Sequence, residues 1–434
     1  MGKGLFFLER EEISSSPRFF IALDKKSENR GWFSRTAASL DAQTYRNFAF
    51  GYDPGGEAFD YLLYISEGDI LTPDALLCLA GAATQNHGPD ILFADEDVMG
   101  FDNVHHAPYE KPAFSPVTLL SYNAVGRPIA VRREVHASCG AMKQNDANGE
   151  YEYILRCAAK CRDIVHIEKA LYSRRIHLGE VDFLSGRTSI EAYLKEKRME
   201  GFVAKGLYEG SFRMAAAPKK NPLIAVVVVA SGLLTPLRRL LESLEENTVY
   251  EKYRIVIAVT KEGEPQLQTY LRLLKKNGAA HVVNCIDLDL DLASARNAAA
   301  KEIRCDALLF LDERLEIVSA SWLDALLEQL CRNRVVAVTG KLLDENGRLA
   351  QGPYLNAEDD INDKAKNRVV NAIRGVEALD KRLFLVRRKP FFKAGGFPEE
   401  NADAAAALCS KFAKDGHFCV YTPFCKVKAH DGDF

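Results

Sequence analysis

The sequence has no long apolar run. Its longest, Ile224 to Ala230, falls far short of the ~20 residues a membrane-spanning helix needs. The opening Met1-Gly2-Lys3-Gly4-Leu5 is soon followed by Glu9, Arg10, Glu11 and Glu12, so no secretory leader is expected. An excess of charge of one sign is also lacking. The 57 Lys and Arg face 60 Asp and Glu, a formal net charge of −3. That balance excludes a nucleic-acid binder working by phosphate neutralisation and an acidic disordered tail. Paired cysteines are absent as well. The ten cysteines include no C-x-x-C, and Cys157 and Cys161 stand four apart with no second pair at zinc-finger spacing. Buried thiols acting as small hydrophobes are expected, with no metal site built on cysteine. These absences describe a cytoplasmic protein with no nucleic-acid partner and at most peripheral membrane association.

What is present is an internal repeat. The 434 residues, 47% of them hydrophobic, allow two or three domains of about 150 residues each. An apolar strand at Phe19–Leu23, an amphipathic helix at Trp32–Gln43 and a strand at Phe48–Phe50 recur as Leu223–Val229, Pro236–Glu246 and Ile255–Val259. Tyr61–Ile65 matches Ala307–Leu311, each followed by an acidic turn and a helix, Pro73–Ala83 and Ser321–Leu330. Ile129–Arg133 matches Phe384–Arg388. Strands alternating with helices predict an α/β fold with a mostly parallel sheet in each copy. Ala215–Pro222 reads as the junction, giving domains 1–215 and 223–434 joined by 216–222. The offset between the copies grows along the chain, so the first lacks about 40 residues. In the second copy that stretch holds a helix at Gln266–Lys276, a strand at His281–Val283 and the segment Leu292–Ala299.

Phe93-Ala94-Asp95-Glu96-Asp97, Pro108-Tyr109-Glu110-Lys111-Pro112, Phe114-Ser115-Pro116 and Asn123-Ala124-Val125-Gly126 resemble tandem family-2 glycosyltransferases of bacterial surface-polysaccharide assembly. Leu292–Asn297, Leu309–Asp312, Gly340–Leu343 and Gly395-Gly396-Phe397 carry the likeness through the second copy. The resemblance implies two tandem GT-A-like domains. It also implies a nucleotide-sugar donor held at the carboxyl ends of parallel strands and a divalent cation, Mn or Mg, on the leaving diphosphate. A carboxylate then takes the proton of the acceptor hydroxyl, with inversion in a single displacement.

In the first copy the resemblance places the metal on Asp69, with Glu67 beside it; the same turn also reads as a plain cap for the helix that follows. Glu150, in Gly149-Glu150-Tyr151-Glu152, takes the place of the catalytic base, or it is a solvated helix start favoured by the dipole. Asp95 and Asp97 follow an apolar strand and are donor contacts, or else Arg127, Arg132 or Lys111 answers their charge. Asp53 is placed to hold the ribose, or it makes a turn with Pro54-Gly55-Gly56.

In the second copy Arg296 and Asn297 lie on the nucleotide-side helix and Asp312 opens the acidic turn. There Arg314 replaces the metal-side carboxylate, either forking onto a phosphate or pairing with Glu313 or Glu316. The base region has become an alanine run with only Asp403 left. His105-His106 is expected exposed in a loop, Asp359–Arg368 a solvated charge run, and Cys425–His430 a terminal strand.

Two functions follow. One is a transferase moving sugar from a nucleotide-sugar to a cell-surface polysaccharide or other glycan acceptor. The other is a catalytically inactive pseudo-glycosyltransferase with eroded motifs, acting as a saccharide-binding or scaffold partner of an active transferase. Whether the chain is an enzyme stays open between them.

Overall fold

The computed structural model describes residues 16–24, 30–100, 104–105, 109–143, 146, 148–175, 182–218, 220–288, 290–350, 368–398 and 404–430. His106, Asp403 and the charge run from Asp359 to Asn367 lie outside the described residues. The chain forms two compact units, Met1–Met199 with Lys205–Phe212, and Glu200–Ala204 with Arg213–Phe434.

The first unit runs β1 (Phe19–Asp24), α1 (Arg30–Asp41), β2 (Phe48–Gly51), β3 (Tyr61–Ser66), β4 (Ile70–Leu71), α2 (Ala75–Gln85) and β5 (Ile91–Met99). It continues with α3 (Pro116–Leu119), β6 (Ile129–Arg132), α4 (Arg133–Cys139), α5 (Gly149–Lys160), β7 (Ile164–Arg175) and α6 (Phe183–Glu196). A ribbon of β8 (Phe202–Lys205) and β9 (Phe212–Ala215) follows, and the division between the units passes through it.

The second unit holds β10 (Ile224–Ala230), α7 (Leu234–Glu246), β11 (Tyr253–Val259), α8 (Pro265–Lys276), β12 (Ala280–Asn284), α9 (Leu292–Glu302), β13 (Ala307–Leu311) and β14 (Leu315–Ile317). Then come α10 (Trp322–Leu330), β15 (Val335–Leu343), β16 (Arg374–Gly375), β17 (Leu383–Arg387), α11 (Arg388–Lys393), α12 (Ala404–Lys414) and β18 (Phe418–Ala429).

Strand order in the first sheet is β2-β1-β3-β6-β5-β7-β4, and in the second β12-β11-β10-β13-β17-β15-β18-β14, with β16 on β18. From β11 onward the second path repeats the first strand for strand, and β12 is an addition outside it. The connection from β2 to β3 covers residues 52–60, whereas that from β11 to β13 covers 260–306 and carries α8, β12 and α9.

Each sheet is mixed, with most of its strands pointing the same way. β1, β2 and β3 pair in parallel, but β6 runs antiparallel between β3 and β5, as β17 does between β13 and β15. A strand buried on both faces reads as an unbroken apolar run whichever way it points. All four residues of β6 are buried, so nothing in Ile129–Arg132 marks its direction.

Each sheet packs its helices through its own core. In the first unit, Leu63, Ile65 and Leu92 meet Leu76, Leu79 and Ala83 of α2. In the second, Phe310, Phe384, Phe391 and Phe397 form an aromatic knot, with Phe310 centroids 5.0 to 5.4 Å from the other three. Offset and edge-to-face contacts at such separations add to the area these rings bury.

Candidate functional site

In the first unit the site lies where β1 and β3 end. Asp24 closes β1, Ser66 closes β3, and the turn Glu67-Gly68-Asp69 leads into β4. Gly68 has φ +98° and a Cβ there would stand 3.3 Å from both Trp32 and Arg175, so the turn needs glycine. Thr36 of α1 locks it, its Oγ1 accepting from the Gly68 amide at 2.9 Å and donating to the Asp69 carbonyl at 2.8 Å. The Asp69 carboxylate is thereby set against β7. Its Oδ2 accepts from the Tyr172 hydroxyl at 2.6 Å and its Oδ1 from the Arg175 amide at 2.9 Å. Burial, then the charge of Asp69, raises the Tyr172 pKa well above its ordinary value, so the phenol remains a donor.

Glu150 sits in the first turn of α5. Its Oε2 accepts from Arg127 Nε at 2.7 Å, and its Oε1 from Asn123 Nδ2 at 3.0 Å and Arg174 Nη2 at 3.2 Å. Arg127 is 2% exposed. Its Nη1 donates to Ser66 Oγ at 2.6 Å and its Nη2 reaches Asp24 Oδ2 at 3.5 Å. One guanidinium therefore joins the ends of β1 and β3 to the start of α5.

Asp95, Glu96 and Asp97 do not follow a strand as expected. They lie inside β5, which continues to Met99 alongside β7. Each has its own partner. Asp95 Oδ1 accepts from the Lys111 amide at 2.9 Å and contacts His166 Nε2 at 2.8 Å, Glu96 Oε2 accepts from Arg174 Nε at 3.1 Å, and Asp97 Oδ2 meets His105 Nδ1 at 3.0 Å. The strand tolerates three acids in a row because adjoining segments supply these donors. Of the partners named from sequence, Lys111 stands in this cluster, with Nζ 3.9 Å from Glu96 Oε1. Arg127 serves Glu150 instead, and Arg132 pairs with Glu134 at 2.8 Å. Asp53 is exposed, its Oδ1 accepting from the Gly55 amide at 2.9 Å. Glu67 accepts from Tyr52 at 2.9 Å.

In the second unit Asp312 directly follows β13. Its Oδ1 accepts from the Arg314 amide at 3.0 Å and Nε at 2.8 Å, and its Oδ2 from Nη2 at 2.9 Å. The expected partners of Arg314, Glu313 and Glu316, are corrected accordingly: Glu313 accepts from the Ser231 amide at 3.1 Å, and Glu316 meets His430 at 2.6 Å. Asp380 and Arg382 repeat the same clamp, with Asp380 Oδ1 accepting from Arg382 N at 2.9 Å and Nε at 3.0 Å and Oδ2 from Nη2 at 2.9 Å. The Asp312 amide donates to the Arg382 carbonyl at 2.8 Å, so the two clamps adjoin. Burial opposes ionisation of Asp312, but the Arg314 hydrogen bonds and charge outweigh it and lower its pKa. Asn297 gives both ends of its amide to the Phe397 backbone, Nδ2 to the carbonyl at 2.9 Å and Oδ1 from the amide at 3.0 Å. Arg296, 5% exposed, lies one residue earlier on α9.

These arrangements do not fit a divalent cation held by an acidic turn. Such an ion needs several oxygens turned towards it. Both oxygens of Asp69 serve β7, both of Glu150 serve protein donors, and both of Asp312 serve Arg314. Among the described residues no three His, Cys, Asp or Glu side chains converge on a common point.

No family model matches the chain. It is 26% identical over 348 residues to the O-antigen biosynthesis protein RfbC of Myxococcus xanthus, covering 78% of this chain and 27% of that protein. It is 22% identical over 406 residues to the uncharacterized protein y4gI of Sinorhizobium fredii (strain NBRC 101917 / NGR234), covering 86% of this chain and 44% of that one. The chain thus spans less than half the length of these curated relatives.

Among solved structures, it is similar to GalNAc-T7 with UDP, GalNAc and Mn2+ at 18% identity and a TM-score of 0.39, covering 48% of this chain and 43% of that one. It is similar also to the mannosyltransferase PcManGT from Pyrobaculum calidifontis in complex with GDP-Man and Mn2+, at 14% identity and a TM-score of 0.39, covering 48% and 57%.

Sequence reasoning missed Asp24, Ser66 and Arg174, and it misassigned Arg127. A signal for Asp24 existed, since it directly follows the apolar run Phe19–Leu23. Arg174 has no comparable mark. It reaches Glu150 only because β7 pairs with β5.

Proposed function

We propose that this chain is a glycosyltransferase-type protein of surface-polysaccharide biosynthesis that has given up metal-dependent sugar transfer. It serves as a saccharide-binding or scaffold partner of an active transferase. The observation that carries this reading is the Arg127 guanidinium, which spans Asp24, Ser66 and Glu150. A general base must offer a lone pair to the acceptor hydroxyl. Those of Glu150 are engaged by Arg127, Arg174 and Asn123, and freeing one means breaking a charge-assisted bond. An arginine cannot ligate a cation and repels one, so Arg127 and Arg314 stand where a metal would otherwise be drawn.

The repeated strand order supports two tandem transferase-like domains, 1–215 and 223–434, joined by 216–222. The relative named for O-antigen biosynthesis supports a glycan as the thing bound. No helix among the described residues is long and apolar enough to cross a membrane.

The test is a panel of UDP-, GDP- and dTDP-sugars with Mn²⁺, with and without glycan acceptors, beside a glycan-binding array. Saturable glycan binding without turnover is expected. Mn²⁺-dependent turnover abolished by Glu150→Gln would overturn the reading.

A further inference from the structure

Two thiols of the first unit stand against each other. Cys139 closes α4 and is half-buried, and Cys157 lies fully buried in the third turn of α5. As a thiol, Cys139 donates to the Arg156 carbonyl at 3.4 Å, which sets its sulfur beside the peptide leading into Cys157. The Cys157 thiol in turn donates to Cys139 Sγ. Ser138 Oγ lies 3.7 Å from the same sulfur.

The surroundings decide which form of Cys139 prevails. The carboxyl end of a helix repels negative charge, but here its carbonyls face two cations. Arg156 Nη1 donates to the Cys139 carbonyl and to that of Gly140 at 3.2 Å, its Nη2 to that of Ala141 at 3.1 Å, and Lys160 Nζ to that of Ser138 at 2.6 Å. The Cys157 hydrogen bond, opposed by burial and helped by Ser138, Lys160 and Arg156, holds the Cys139 pKa below its ordinary value. Burial raises that of Cys157, so the second sulfur keeps its proton. An accessible cysteine of lowered pKa beside another thiol is the arrangement that peroxide oxidises reversibly. Other cysteines of the chain supply the contrast. Cys78 is also half-buried, yet burial and the Asp74 carboxylate raise its pKa. Cys409 and Cys419 are in hydrogen-bond contact too, but both are buried, and the Cys419 pKa is raised.

We propose that Cys139 and Cys157 are an oxidation site, joined into a reversible disulfide by hydrogen peroxide with Cys139 as the attacking sulfur. The Cys139 thiolate attacks one peroxide oxygen, so that an S–O bond forms and the O–O bond breaks. The hydroxide released takes a proton from solvent. The Cys157 sulfur then attacks the Cys139 sulfenic acid, forming the S–S bond and breaking S–O, and its proton leaves with the departing hydroxide as water. Two thiols lose two electrons and one peroxide becomes two waters. The bond staples α4 to the helix whose first turn holds Glu150. It is independent of whether the chain binds glycans or transfers sugar.

The experiment treats the full, reduced chain with stoichiometric hydrogen peroxide, blocks the remaining thiols with N-ethylmaleimide and maps the peptides by mass spectrometry. The first product should be the Cys139–Cys157 disulfide, lost again on adding dithiothreitol. Cys409 and Cys419 should stay reduced. At neutral pH iodoacetamide should label Cys139 about tenfold or more faster than Cys78. Cys157→Ser should stop the reaction at a Cys139 sulfenic acid that dimedone traps. The wild-type map needs no variant and decides the matter even where Cys157→Ser fails to fold. A first disulfide between Cys139 and Cys161 or between Cys409 and Cys419, no disulfide at all, equal labelling of Cys139 and Cys78, or a folded Cys157→Ser without dimedone adduct at Cys139 would each overturn the proposal.

Discussion

Arg127 Nε lies 2.7 Å from Glu150 Oε2. The bond ties a loop ahead of β6 to the first turn of α5, at the place the family resemblance reserves for proton transfer. Side chains this buried exchange strong solvation for each other, and losing one partner strands the other.

Arg127→Met should therefore destabilise the first unit by roughly 3–5 kcal/mol. Glu150→Gln, which keeps an acceptor, should cost less. The double variant should be more stable than the sum of the single losses predicts, because the stranded charge is gone. Urea midpoints of the four proteins measure this, and strict additivity would contradict the coupling.

Lys111 sets a pH dependence. Its ammonium, nearly fully buried, donates to the Ala94 and Arg127 carbonyls at 2.7 and 2.6 Å. Burial, aided by Arg174, pushes its pKa down to about 8 from 10.5, against the pull of Glu96, Glu150 and Asp95. Between these values the unfolded chain holds a proton that the folded chain does not, so stability should rise as pH climbs from 8 towards 10.5. The full gain is about 3 kcal/mol, and below pH 8 the penalty is fully present. Wild type should gain on Lys111→Met over that window in urea unfolding; a constant difference would rule the effect out.

Gly396 and Gly395 offer a paired test. Both have positive φ, +72° and +87°, but a Cβ on Gly396 would lie 2.5 Å from Asn297 Oδ1, while one on Gly395 meets nothing nearer than Lys411 Nζ at 4.0 Å. Gly395→Ala should cost about 1 kcal/mol of backbone strain. Gly396→Ala should cost visibly more and loosen the Asn297–Phe397 pair. Equal thermal shifts would show that the Asn297 contact yields freely.

Phe310 is fully buried at the centre of the aromatic knot. Phe310→Ala should destabilise the second unit by about 3–5 kcal/mol, and Phe310→Leu by clearly less. Calorimetry of the two variants checks the order.

Much of the architecture was legible in the sequence because periodicity reports burial. Helices expected at Trp32–Gln43, Pro236–Glu246 and Gln266–Lys276 are found at Arg30–Asp41, Leu234–Glu246 and Pro265–Lys276. The terminal strand is longer than expected and begins at Phe418. Strand direction was not legible, since β6 looks the same to its neighbours either way round. Site residues were found as types rather than as pairs. Asp69, Glu150 and Asp312 stood out as acids, but which donors face them depends on contacts such as Tyr172 to Asp69, 103 positions apart. Arg314 shows the reverse error, because its partner is two residues away.

The absence of a β12 counterpart changes what β2 must be. In the second sheet β11 is interior, flanked by β10 and β12. In the first sheet its counterpart β2 is the rim, with one side of its backbone unpaired by any strand of the sheet and Phe50 43% exposed. A rim of that kind invites a foreign strand to add itself, and brevity is one way chains discourage it. β2 has four residues where β11 has seven, which leaves an incoming strand little backbone to grip.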